Sequence, residues 1–237
     1  MMRGSSRAYD QAFFARYREE GQQSASVIVP LVNDLLQPKS VLDVGCGPGS
    51  WLVEWINISV TDVVGLDGEY IEQSALRIPP ASFVPLDLSR RFSLGRKFDL
   101  VESLEVAEHL EESCADAFVE SLSNHADNVL FSAAIPGQGG THHVNEQWLS
   151  YWVTKFARRG FRPCDVIRPV VWTDRRVLVW YRQNTVLFSK NAPEGVPDTC
   201  LDVVHPELWS SLTRHQVARR FRAALTNAIR LPLAKLR

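Results

Sequence analysis

Five short runs of apolar, largely β-branched residues recur along the chain with helical segments between them: "SVLDVG", "TDVVGLD", "SFVPLDL", "KFDLVESL" and "NVLFSAAI". Nothing else in the sequence restricts the fold as strongly. Parallel neighbours need a crossover connection, usually a helix, so strands alternating with helices predict an α/β fold with a parallel sheet covered on both faces. Beyond "HVNEQWLSYWVTKFARRGF", a helix expected to end at Gly160, come "RPCDVIRP" and "RRVLVWYRQNTVLFSK". These read as two more strands, joined through the turn-rich "WTDRR" as an antiparallel hairpin that closes the sheet. Ahead of the first strand, Tyr9 to Gln37 reads as two helical stretches, with Pro30 bending the second.

At 237 residues the chain can bury the core of one domain, and 45% hydrophobic with 22% charged residues is ordinary globular composition. No apolar run reaches the ~18 residues of a membrane span, and the opening "MMRGSSRAYD" lacks the apolar stretch of a signal peptide. Cys46, Cys114, Cys164 and Cys200 are scattered without a C-x-x-C pair, as expected for free thiols in a reducing cytoplasm. From His205 onward, seven Lys/Arg face one acid, Glu207, which leaves about −7 for the rest of a chain of net charge −1. In that tail Val217, Phe221, Leu225 and Ile229 recur every four residues, with Arg219, Arg220 and Arg222 off the stripe. A terminal helix docked on its own domain, or on a second copy as a homodimer, is favoured over one laid on an anionic membrane. Three regions follow: an N-terminal helical lid (1–37), a core (38–190), and a linker with a basic C-terminal helix (191–237).

Within the core, "VLDVGCGPGSW" runs a strand into a loop with glycines at 45, 47 and 49. Glycines there let a ligand lie against bare amides at a helix N-terminus. A dinucleotide site wants G-x-G-x-x-G, but the last position is Ser50 and the spacing is G-x-G-x-G. Asp67 ends the second strand, where a carboxylate can accept both hydroxyls of a ribose. Asp87 ends the third run beside the same crevice, and Asp43 lies in the first strand, placed to orient an ammonium group. Singly, each acid reads as a strand-end cap or a solvated loop residue; as a set at three successive strand ends they are not expected by chance.

With these residues in place, the chain resembles the class I S-adenosylmethionine-dependent methyltransferases over residues 38 to 190. "LDVGCGPG", "VVGLD", "FVPLDL" and "FDLVESLEVAEHL" are similar to that family's first four motifs. The resemblance implies a doubly wound, Rossmann-like sheet of seven strands, mostly parallel, with an antiparallel last strand. It also implies S-adenosylmethionine as cofactor. Gly45 and Gly47 would face its methionine part, Asp67 the ribose, Asp87 and Leu88 the adenine, and Ser103 the sulfonium.

Such a reaction needs an aligned nucleophile and a group to take its proton. "LEVAEHLEE" places Glu105, Glu108 and His109 on one face if helical, and "PGQGGTHHVNEQ" presents His142 and His143 on a glycine-rich loop. Carboxylates with imidazoles suit a divalent cation, Mg²⁺ or Mn²⁺, and Glu105, Glu108, His109 and His143 are its candidate ligands. E-x-x-E-H with a later histidine is similar to the metal-binding pattern of small-RNA 2′-O-methyltransferases, although here the later histidine comes sooner and no RNA-binding module is evident. A similar E-x-x-E-H occurs in ubiquinone-pathway O-methyltransferases. The alternative is that His109 merely caps or packs, with His142 or His143 as a general base. Trp148, Trp152 and Phe156 follow helical spacing and are expected to pack on the sheet. Trp172 is a candidate pocket wall, and Tyr9 and Phe13 are candidate lid contacts.

The reading is therefore a cytoplasmic enzyme that methylates a hydroxyl on a small-molecule acceptor, a sugar or secondary metabolite. The competing readings are RNA 2′-O-methylation, suggested by the basic tail and the E-x-x-E-H match, and a cofactor-binding scaffold without turnover.

Overall fold

The computed structural model describes residues 11–192 and 202–213, with side chains from residue 21 onward. Its strands are β1 (Ser40–Val44), β2 (Asp62–Asp67), β3 (Phe83–Pro85), β4 (Leu100–Leu104), β5 (Asn128–Ser132), β6 (Arg162–Cys164) and β7 (Val186–Ser189). Its α-helices up to residue 192 are α1 (Gln11–Leu36), α2 (Ser50–Asn57), α3 (Ala115–His125), α4 (Leu149–Ala157), α5 (Arg168–Val171) and α6 (Val179–Asn184). The sheet has seven strands in the order β3-β2-β1-β4-β5-β7-β6. β1 to β5 pair in parallel, and β7 runs antiparallel to both β5 and β6. This is the doubly wound arrangement expected from the strand–helix alternation.

Neighbouring strand residues feed opposite layers, as a period of two requires. Leu42, Val101, Val129 and Phe188 belong to one core with Phe118, Val119 and Leu122 of α3 and Trp152 and Phe156 of α4. Their immediate neighbours Val41, Leu100, Leu130 and Leu187 belong to the other, with Ile28, Val29 and Val32 of α1 and Leu52 and Trp55 of α2. Ala115, Phe118, Val119 and Leu122 follow the i, i+3, i+4, i+7 pattern and are all buried, which explains why this stretch is helical and which face it covers. Burying side chains of this size stabilises by about 1.5–3 kcal/mol each. On the same helix His125 is a structural residue. It is buried, with Nδ1 2.6 Å from the Ser121 carbonyl and Nε2 accepting the Leu94 N–H at 2.9 Å.

Two expectations are corrected. Residues 11–36 form one helix, not two, with Pro30 inside it on the exposed side. Its second half is built into the core through Ala25, Ile28, Val29 and Val32. β6 and β7 do pair antiparallel, but no tight turn joins them; the short helices α5 and α6 intervene. Trp172 therefore caps α5 instead of occupying a hairpin turn, and its carbonyl accepts from Arg182 at 3.2 Å.

The described residues up to Val203 belong to one compact unit and those from Val204 to a second, in which residues 206–213 are helical. Tyr9, the side chain of Phe13, Cys200 and the stripe from Val217 to Ile229 lie outside what is described. Among the described residues no helix is long and apolar enough to cross a membrane.

Candidate active site

Strand order reverses between the parallel neighbours β1 and β4, since β2 and β3 build outward on one side of β1 and β4 on the other. In open α/β sheets, ligands bind at the carboxyl ends of the strands at such a switch point. The glycine loop lies there. Gly45, Gly47 and Gly49 have φ of 87°, 53° and 89°, a region closed to most side chains, and Gly49 caps the start of α2. A Cβ on Gly45 would lie 2.3 Å from Val106 Cγ2, whereas one on Gly47 would meet nothing within 4 Å. The loop is thus packed from behind at Gly45 and open at Gly47.

Asp67, 5% exposed, is held at the end of β2. Its Oδ2 accepts the Gly47 N–H and its Oδ1 the Gly68 N–H, both at 2.7 Å, and the Tyr70 hydroxyl also donates to Oδ1. Asp43 is buried beneath the loop, and its Oδ2 has no hydrogen-bond partner among the described residues. Burial, then Glu102 and Asp67, push its carboxyl well above the usual range. Ser103 is buried and donates to the Val44 carbonyl at 2.9 Å, tying the ends of β1 and β4 together. Asp87 is exposed just past β3, and its carboxylate takes the Ser89 N–H (3.0 Å) and hydroxyl (2.6 Å). Those bonds hold it below the ordinary aspartate range. Leu88 turns into the core. Asp43, Gly45, Gly47, Asp67 and Ser103 thus converge on the switch point, while Asp87 and Leu88 are engaged in their own turn.

The second cluster lies past β4 and β5. Between Glu105 and His109 only Ala107–His109 is helical, as a single 3₁₀ turn, and Glu105 stands ahead of it at φ 57°. The one-face helical arrangement expected for Glu105, Glu108 and His109 is therefore not formed. Glu105 instead accepts from Asn184 at 3.1 Å and Gln138 at 3.0 Å. Glu108, His109 and His143 do come together, with one ligand-capable atom from each lying within 4.8 Å of the others. The His109 and His143 rings meet edge-on at 4.9 Å. Glu108 is fully buried, and neither carboxylate oxygen has a hydrogen-bond partner among the described residues. Burial, then Glu105, push its carboxyl well up; the Glu108 and Ala134 amides lie close enough to oppose this only in part. Burial, and next His143, hold His109 below the usual histidine range, so it is neutral near pH 7. His142 is exposed at φ 60°, outside the cluster of three.

The sequence reading missed three neighbours. Glu146 lies 3.0 Å from His143 Nδ1, and Gln138 and Asn184 bind both Glu105 and each other. Only Glu146, three residues from a histidine beside glycines, carried any local signal. Asn184 also lines a small cleft with Trp148, Trp152, Arg168 and Gln183. Trp152 and Phe156 are buried as expected, but Trp148 precedes α4 and is 39% exposed.

This sheet order, with a glycine loop after β1 and a carboxylate at the end of β2, defines a class I S-adenosylmethionine-dependent methyltransferase. The family described as "Methyltransferase domain" matches residues 14–166, well over half of the chain, and the protein belongs to it. Among solved structures it is similar to the sugar N-methyltransferase KedS8 from Streptoalloteichus sp ATCC 53650 (TM-score 0.60, 15% identity, 80% of this chain and 98% of that one). It is also similar to CalS10, an amino pentose methyltransferase from Micromonospora echinaspora (0.58, 17%, 79% and 100%), and to the methyltransferase domain of bacterial CtHen1-C (0.53, 20%, 73% and 100%). At such identities the likeness is one of fold. No curated protein matches the sequence.

Proposed function

We propose that this methyltransferase acts on a hydroxyl of a small molecule, a sugar or a secondary metabolite, with a divalent cation held by Glu108, His109 and His143. One observation carries the cation: a fully buried glutamate whose oxygens make no well-formed hydrogen bond among the described residues, with only the Glu108 and Ala134 amides and the Glu105 carboxyl close by, beside two imidazoles. A buried carboxylate in that state is costly unless a cation or donor completes it. Mg²⁺ and Mn²⁺ suit a carboxylate-containing set completed by water and acceptor oxygens. The sugar reading is supported by the descriptions of KedS8, a sugar N-methyltransferase, and CalS10, an amino pentose methyltransferase. The preference for a hydroxyl rests on this chain's own cluster, because a neutral amine is nucleophilic without such help.

S-adenosylmethionine, when bound, supplies a methyl group already made electrophilic by its sulfonium. The chain's part is to bind, align and deprotonate. The open face of Gly47 and the Asp67 carboxylate fit a nucleoside ligand: the loop leaves room where a Cβ on Gly47 would stand, and Asp67 is fixed by two amides. Asp43 supplies a buried carboxyl beneath the amino-acid end of such a ligand. A cation at Glu108, His109 and His143 would lower the pKa of an acceptor hydroxyl, so that a weak base suffices at neutral pH. His142, exposed on the loop that carries His143, is the candidate imidazole for that proton.

The test is S-adenosylhomocysteine release with a panel of hydroxylated and amino sugars, with and without EDTA. Turnover is expected with hydroxyl acceptors, abolished by EDTA and restored by Mg²⁺ or Mn²⁺, with Glu108→Ala as damaging as His143→Ala. Turnover of amines alone, indifferent to EDTA, would replace this reading with metal-free N-methylation.

A further inference from the structure

Three glycines in "PGQGGTHHVNEQ" make a loop that should wander, yet the loop is anchored from within. Glu146 Oε2 accepts the Gly137 N–H and Oε1 the Gly139 N–H, both at 2.7 Å. The same Oε1 lies 3.0 Å from Nδ1 of His143. From the other side, the Val144 and Asn145 N–H groups donate to the Glu108 carbonyl at 2.9 and 3.0 Å. This pins the histidine loop to the turn that carries Glu108 and His109. The His143 ring lies over Gly140, where a Cβ would stand 2.2 Å from Nε2. Its plane is nearly perpendicular to that of His109, at 85°.

An ionised carboxylate can only accept, so the imidazole nitrogen facing it must be the one that carries hydrogen. We propose that Glu146 is the positioning residue of His143: it holds the imidazole as its Nδ1–H tautomer and leaves Nε2 as the lone-pair nitrogen presented to the Glu108–His109 cluster. That role deepens the proposed cation site and rests on it for its purpose, but the tautomer itself does not depend on a metal. The two glycine amides keep the carboxylate in place and make it a fixed partner. Where a histidine binds metal, a carboxylate on its other nitrogen fixes ring and tautomer, and its loss costs about 10–100-fold in metal affinity.

The test uses the whole protein, metal-free, with ¹⁵N-labelled histidine at about pH 8, where an ordinary imidazole is neutral. Long-range ¹H–¹⁵N spectra read the tautomer, and the His143 signals are assigned by their loss in His143→Gln. Wild-type His143 is expected as Nδ1–H. In Glu146→Gln, whose amide can offer its own N–H to the ring, it should shift towards Nε2–H. Mn²⁺ binding, followed by electron paramagnetic resonance, should weaken about 10–100-fold in that variant, with S-adenosylmethionine affinity unchanged. An Nε2–H tautomer in the wild type would overturn the proposal, even if the variant failed to fold. So would a tautomer or Mn²⁺ affinity unaltered by Glu146→Gln. A wild type with the Nδ1–H tautomer but no Mn²⁺ binding would remove the cation reading alone and leave the positioning role intact.

Discussion

Asp67 and Gly140 show how much of the site rests on single atoms. Asp67 is oriented by two backbone N–H groups before any ligand arrives. Asp67→Ala should weaken S-adenosylmethionine binding by about the 1.5–3 kcal/mol of hydrogen bonds to a charged group, as read by titration calorimetry. Wild-type affinity in that variant would remove Asp67 from the cofactor site. Gly140 does not have a positive φ, so an alanine there strains no backbone; its Cβ would instead collide with His143 Nε2. Gly140→Ala should therefore lower Mn²⁺ affinity much as Glu146→Gln does, without touching a charge, and equal binding would show that the ring's position is immaterial. At this scale the sequence was partly legible. The glycines, Asp67, Glu108 and the histidines announce themselves by type and spacing. Asn184 could not, because its bond to Glu105 spans 79 residues and nothing local in "YRQNTV" marks it.

Between elements, the register of β1 and β4 sets Asp43 opposite Glu102, both buried, with Trp55 of α2 donating to Glu102 at 3.0 Å. Burial pushes the Glu102 carboxyl up to about 8 from an ordinary 4.5, although the Trp55 bond opposes the shift. Between those values the folded state holds more protons than the unfolded one, so stability is fullest below pH 4.5 as far as this group is concerned. It is lost as pH rises through the folded value. Glu102→Gln should flatten that slope and make the protein more stable than wild type at pH 8, by up to a few kcal/mol. Urea denaturation at pH 5 and 8 decides it, and an identical pH slope in both proteins would refute it. The same scale shows where pattern reading failed. "VLVWYRQNTVLF" is rich in strand-forming residues, yet its first part folds as α6. Tyr181 packs edge-on against Trp51 of α2 at 5.1 Å, and residues 181–184 are all buried. Tertiary packing overrides weak local preference in a helix of six residues. Glu105 failed for a related reason: its positive φ breaks the helical spacing that would have aligned it with Glu108.

For the molecule as a whole, the alternation of strands and helices was enough to read the architecture, because a parallel sheet leaves few ways to connect its strands. That architecture brings the loops after β1, β2, β4 and β5 to one edge, and so sets the glycine loop and the histidine cluster on the same side of the sheet. Which side chains then meet depends on loop geometry that no periodicity encodes. This is why Glu108, His109 and His143 meet while Glu105 turns to Asn184 and Gln138. The central claim is that this edge holds both the cofactor and a catalytic cation. Its most direct measurement is the anomalous scattering of Mn²⁺ in crystals grown with S-adenosylhomocysteine. We expect one Mn²⁺ peak bound by Glu108, His109 and His143, with the ribose on Asp67. A ligand on Asp67 with no Mn²⁺ at the three side chains, at saturating metal, would contradict the account.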